Sequence, residues 1–138
     1  MSHTIEWRHD RRRILLPVLI IAPRPCTDLA GIPVIALLDT GSTTTGLTGR
    51  IAEKLDLARR GKRRIGSIQG EGQAERFVFR VGLHIPGDEP AFPFVFNDIE
   101  GFELKPSTMF DALIGMDILH QCDLHVGRDR VCRLTFGD

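Results

Sequence analysis

Asp39, Thr40, Gly41 and Ser42 follow directly on an apolar run, residues 33–38. A carboxylate at the end of a buried strand needs a reason, because burying a charge is costly. The glycine lets the backbone turn sharply beside the acid, and the threonine hydroxyl can hydrogen-bond nearby. The chemistry open to such a carboxylate is general acid–base work on a water or substrate proton. Out of context, the same tripeptide is a turn capped by aspartate. His120, Cys122 and His125 also carry ligating atoms, but their spacing matches no strong zinc pattern and a fourth ligand is missing, so no metal site is read there. Residues 59–64 hold Arg59, Arg60, Lys62, Arg63 and Arg64. Charges so close repel one another, and a solvated loop is the plain reading, with no nucleic-acid partner.

Several elements must position these groups. Residues 14–21 read as a strand, with Pro17 marking an edge or bulge. Residues 23–31 form a turn-rich connection, and 33–38 read as a strand buried on both faces. Leu47, Ile51 and Leu55 recur every four residues, which predicts a short helix with Thr48 as N-cap. Residues 65–68 and 76–85 flank Gln69, Gly70, Glu71, Gly72 and Gln73. Phe77, Phe79, Val81, Leu83 and Ile85 alternate with Val78, Arg80, Gly82 and His84, which predicts a β-hairpin with a glycine-rich tip. Residues 92–96 read as a strand and 97–108 as an irregular loop. Ala112, Leu113 and Ile114 form a short buried strand running into Gly115. A short helix over 116–121 and a hairpin of 124–126 with 131–136 follow. Trp7, His3 and His9 lie in an N-terminal arm with no assigned role. The pattern is mainly β, with one or two short helices and a small barrel, in one domain over 1–138.

Composition narrows the classes. The chain has 138 residues, with 18 Lys plus Arg against 18 Asp plus Glu. A net charge of zero excludes a surface built throughout for nucleic acid. With 42% hydrophobic and 26% charged residues, the chain is no disordered segment. Three cysteines in no dense framework argue against a disulfide scaffold. No apolar run reaches the roughly 18 residues of a membrane span, so no membrane partner is expected. Arg11, Arg12 and Arg13 before the apolar residues 14–22 imitate a signal peptide. Pro23, Arg24 and Pro25 then replace the small-residue cleavage site, so the segment reads as a strand and the protein is placed in the cytoplasm.

In context, residues 36–42 (Ala-Leu-Leu-Asp-Thr-Gly-Ser) resemble the active-site segment of the retropepsins, the retroviral-type aspartic proteases. About seventy residues on, Ala112, Leu113, Ile114 and Gly115 with residues 116–119 resemble that family's second signature. The glycine-rich hairpin lies where the family has its flap. The resemblance covers roughly residues 14–136. Residues 115–124 are also similar to the protease-like domain of the eukaryotic DNA-damage-inducible shuttle proteins.

The resemblance implies a small closed retropepsin-type barrel acting as a homodimer, because the chain holds a single Asp-Thr-Gly. Two copies of Asp39 would activate a water and hydrolyse an extended peptide bound as an added strand, without cofactor. Thr40 would bridge the subunits beneath the dyad, Gly41 would contact substrate, and Ser42 would reach an outer carboxylate oxygen. Ile68, Gln69, Gly70, Glu71 and Gly72 would form the flap. A carboxylate at Glu71 either selects basic or polar substrates or points to solvent. In the family, chain-terminal strands help form the dimer interface, which singles out 124–126 and 131–136, with the N-terminal arm in addition. The alternative is a dimeric peptide-binding or assembly module that keeps the fold and cleaves little.

Overall fold

The computed structural model describes residues 1–67, 70–87 and 92–138. Within them the strands are β1 (Ser2–Arg8), β2 (Leu15–Ile21), β3 (Ile32–Leu38), β4 (Gly46–Thr48), β5 (Lys62–Ser67), β6 (Gly70–His84), β7 (Pro93–Leu104), β8 (Ala112–Ile114), β9 (Asp123–Val126) and β10 (Val131–Gly137). The helices are α1 (Gly49–Lys54), between β4 and β5, and α2 (Met116–Leu119), between β8 and β9. Strands β2, β3, β8, β4, β7 and β6 pair in that order, and β6 returns to β2 through Leu19↔Gly82, Ile20↔Val81 and Ile21↔Arg80. The ring is closed, which leaves these six strands no free lateral edge where they pair. Strand β5 extends β6 outward as a hairpin arm. Strands β1, β10 and β9 form a separate three-stranded sheet.

Period-two alternation builds the core. Leu16, Val18 and Ile20 point inward from β2, Val34, Ala36 and Leu38 from β3, and Phe77, Phe79, Val81 and Leu83 from β6. Truncating a buried phenylalanine such as Phe77 or Phe79 to alanine would cost about 3–5 kcal/mol. Where β7 crosses the Phe79 ring, only glycine fits, because a Cβ on Gly101 would lie 2.7 Å from two ring carbons. Strand β3 departs from the expectation of burial on both faces. Ile35 is 40% exposed and Leu37 only half-buried, because the barrel interior lies on one side of it alone.

Three further expectations change. The segment 97–108 is not irregular throughout, since β7 continues to Leu104, held between β6 and β4. Its turn-forming residues fit because the ladder shifts register between Phe79 and Val81, and Asp98 takes a φ of 56°. The N-terminal arm is strand β1, paired along its whole length with β10 from Ser2↔Gly137 to Arg8↔Val131. Helix α1 starts at Gly49 with Thr48 at its N-cap position, but the Thr48 hydroxyl donates to Asp111 Oδ1 at 2.8 Å instead of capping the helix.

Candidate active site

Two apolar strands far apart in sequence meet side by side. β3 and β8 pair in parallel, with Ala36↔Ala112, Leu37↔Leu113 and Leu38↔Ile114. Both strands end at the same level, so Asp39 and Gly115 emerge together. The Asp39 N–H donates to the Ile114 carbonyl at 2.9 Å, which fixes the aspartate's backbone to the end of β8. The chain then turns, and the Ser42 N–H donates back to the Asp39 carbonyl at 3.2 Å. The Gly41 N–H donates to Asp39 Oδ1 at 2.8 Å. Among the described residues this is the one hydrogen bond to the Asp39 carboxylate, which is half-buried. Thr40 and Gly41 beside it are exposed. Ser42 donates its hydroxyl proton to the Thr44 carbonyl at 2.7 Å, so in this chain that proton is already committed.

Beneath this turn lies a lock that sequence reasoning missed. Helix α2 has unpaired N–H groups at its start, as any helix does. Here the Met116 N–H donates to the Ser42 carbonyl at 2.7 Å and the Asp117 N–H to the Thr43 carbonyl at 3.2 Å. The Asp117 carboxylate accepts from the Thr45 N–H at 3.0 Å, the Thr45 hydroxyl at 2.8 Å and the Ile118 N–H at 3.0 Å. The fully buried Thr45 hydroxyl in turn accepts from the Gly115 N–H at 3.2 Å. Gly115 must be glycine, because a Cβ there would lie 2.7 Å from the Thr44 carbonyl carbon and oxygen. Asp117 is acidic in the first turn of a helix that follows a glycine, a pattern suited to binding backbone N–H groups. That was the available signal.

A second carboxylate, Asp111, holds the start of α1. It accepts from the Thr48 hydroxyl and from Arg50 Nε at 2.9 Å, and its Oδ2 pairs with the Arg50 guanidinium. Burial pushes the Asp111 pKa up, but the hydrogen bonds from Arg50 and Thr48 outweigh it and hold the carboxyl below its usual range. Burial pushes the Cys122 thiol up to about 11 and also raises that of Cys132, so neither is a thiolate nucleophile near neutral pH.

The remaining sequence-predicted residues divide. Ala112 and Ile114 are buried and Leu113 half-buried in β8. Gly70, Glu71 and Gly72 lie in strand β6, opposite Ser67, Gly66 and Ile65. The β5–β6 ladder therefore includes Gly70, Glu71 and Gly72 as paired strand residues. Ile68 and Gln69 lie outside the described residues. Among the described residues, no group of three His, Cys, Asp or Glu side chains is placed to hold a metal ion. No helix there is long and apolar enough to cross a membrane.

Residues 27–121 match the family described as "gag-polyprotein putative aspartyl protease". The fold is similar to that of a retropepsin-like aspartic protease from Rickettsia conorii, with a TM-score of 0.65 and 17% identity over 99% of this chain and 94% of that one. It is also similar to the EIAV protease complexed with the inhibitor HBY-793, with a TM-score of 0.50 and 20% identity over 83% of this chain and 91% of that one. At such identities the likeness is one of fold. No curated protein matches.

Proposed function

Because this chain belongs to the gag-polyprotein aspartyl protease family, we propose that it is a homodimeric aspartic endopeptidase whose reacting groups are two Asp39 carboxylates, one from each subunit. The observation that carries the reading is the state of Asp39 itself. Its backbone is fixed to β8, one carboxylate oxygen is held by Gly41, and the neighbours Thr40 and Gly41 stand open to a partner.

Two carboxylates about 3 Å apart share one proton, as is general for aspartic proteases. The ionised Asp39 takes a proton from a water held between them. The water oxygen attacks the scissile carbonyl carbon, and the protonated Asp39 gives its proton to the carbonyl oxygen. When the tetrahedral intermediate collapses, the C–N bond breaks and the leaving nitrogen receives the proton taken from water. The diol proton returns to the dyad, which regains its starting state. The Thr40 hydroxyls bridge the subunits beneath the pair, and Gly41 offers its backbone to substrate. The β5–β6 hairpin, with Ile68, Gln69, Gly70, Glu71 and Gly72, closes over an extended peptide and excludes water. Substrate backbone pairs as an added strand, and side-chain pockets set preference. The chain acts as one domain over 1–138 and needs no cofactor.

The test is cleavage of a diverse peptide library, read by mass spectrometry at mildly acidic and neutral pH, with Asp39→Asn in parallel. Cuts made by the wild type and lost in the variant are expected. A dimeric sample making no Asp39-dependent cut would overturn the proposal in favour of a peptide-binding module.

A further inference from the structure

Three consecutive arginines, Arg11, Arg12 and Arg13, have no part in the chemistry above. All three are exposed. Among the described residues none of them is in an ion pair or donates a side-chain hydrogen bond. Elsewhere the chain matches its arginines with acids: Arg50 with Asp111, Arg76 with Glu100 and Arg133 with Glu6. Adjacent like charges repel one another, so leaving three of them unmatched is a cost.

The fold nevertheless holds them in a fixed turn. The Arg13 and Arg12 N–H groups donate to Asp10 Oδ1 at 2.6 and 2.8 Å. Those bonds hold the Asp10 carboxyl below its usual range. The Arg11 N–H donates to His9 Nδ1 at 2.9 Å. His9 is tied to the turn between β9 and β10. Its N–H donates to the Arg130 carbonyl at 3.0 Å, and Arg130 Nε donates to the His9 carbonyl at 3.0 Å. The one acid of residues 8–13 is thus engaged in fixing the backbone that carries the arginines.

The turn stands beside Asp39. The register of β2 with β3 begins at Leu15↔Leu37. The Leu38 N–H donates to the Ile14 carbonyl at 2.9 Å, which carries the pairing one residue further. Arg13 and Asp39 come next on their two strands, with backbones about 5 Å apart at the usual strand spacing. An extended peptide advances about 3.3 Å per residue, so side chains up to about three positions from the cleaved bond pass within about 10 Å of Asp39.

We propose that the Arg11–Arg13 turn is a specificity element, selecting peptides that carry aspartate or glutamate close to the cleaved bond. A guanidinium binds a carboxylate through charge-assisted hydrogen bonds that an amide of the same shape cannot match. Two-fold symmetry sets one such turn on each side of the dyad, so acids are favoured both before and after the bond. The inference rests on the dyad reading above, and its test separates the two.

Matched peptides carry Asp and Glu, or Asn and Gln, at the positions flanking one cleavage site. Their kcat/KM is measured for the wild type, Arg12→Gln/Arg13→Gln and Arg12→Lys/Arg13→Lys, at low and high salt. Their binding to Asp39→Asn, with and without the two glutamines, is read by fluorescence anisotropy. The wild type is expected to favour the acidic peptides by about fivefold or more at low salt. That ratio should shrink as salt rises, fall close to one in the glutamine variant and return in part in the lysine variant. Equal handling of both peptide sets, or a preference that survives the two glutamines, would overturn the proposal. If the glutamine variant does not fold, the wild-type ratio and its salt dependence decide. Asp39-dependent cleavage without acid preference would keep the dyad and sink the arginine turn. Acid-selective binding that needs the arginines, without Asp39-dependent cleavage, would do the reverse.

Discussion

The turn after β3 and the turn after β8 begin alike and end differently. Each follows a short apolar strand, the two strands are hydrogen-bonded neighbours, and each turn carries an aspartate within three residues of its strand. Asp117 accepts three described hydrogen bonds from Thr45 and Ile118. Asp39 accepts one described bond, from Gly41. A carboxylate has about four acceptor positions, so Asp117 is largely consumed by structure and Asp39 is largely left for a water or a partner. The comparison teaches that the carboxylate proposed to react is the one the fold holds by its backbone and leaves largely open at its side chain. Its twin is spent on keeping that backbone still.

The sharpest way to break the contrast is through activity. Asp39→Asn is expected to lower peptide cleavage by at least about a thousandfold while the thermal midpoint barely moves. A large loss of stability in that variant would mean that Asp39 is structural after all. The converse holds for Asp117→Ala, which strands the buried Thr45 N–H and hydroxyl. It should cost about 2–4 kcal/mol in denaturant unfolding, with cleavage falling alongside. Gly115→Ala drives a methyl into the Thr44 peptide and should cost about 1–3 kcal/mol, whereas Gly41→Ala should leave unfolding nearly unchanged. The Cβ at Gly41 would meet little more than Asp39 Oδ1, at 3.2 Å, so any effect should appear in turnover.

The smallest effect concerns Asp111. Its native pKa lies below the ordinary value of 3.8, so its hydrogen bonds add stability in full above that value and lose it as pH falls through the native one. The stabilities of wild type and Asp111→Asn should therefore differ at about pH 5 and draw together as pH falls below the ordinary value of 3.8. A gap that persists at the lower pH would show that the loss is one of packing and not of charge.

Parts of this were legible early. The alternation of Phe77, Phe79, Val81 and Leu83 gave the long arm of the hairpin, since a period of two needs no partner to be seen. The run ending at Asp39 and the run ending at Gly115 were visible for the same reason. β1 was not, because its polar and apolar residues make a strand only once β10 lies beside it, more than a hundred residues away. The continuation of β7 was hidden by Asn97, Asp98 and Gly101, which favour turns until two neighbouring strands hold them in a ladder. Two of the three bonds of Asp117 were hidden too, because they span 72 residues to Thr45.

The sequence by itself determined a single Asp-Thr-Gly segment at the end of an apolar run. It also determined that most of the chain is β, because periodicity and turn residues act locally. The tertiary structure alone decided which of the two aspartates accepts three hydrogen bonds and which accepts one among the described residues. Those are properties of hydrogen bonds between distant segments, and they exist only after the barrel closes.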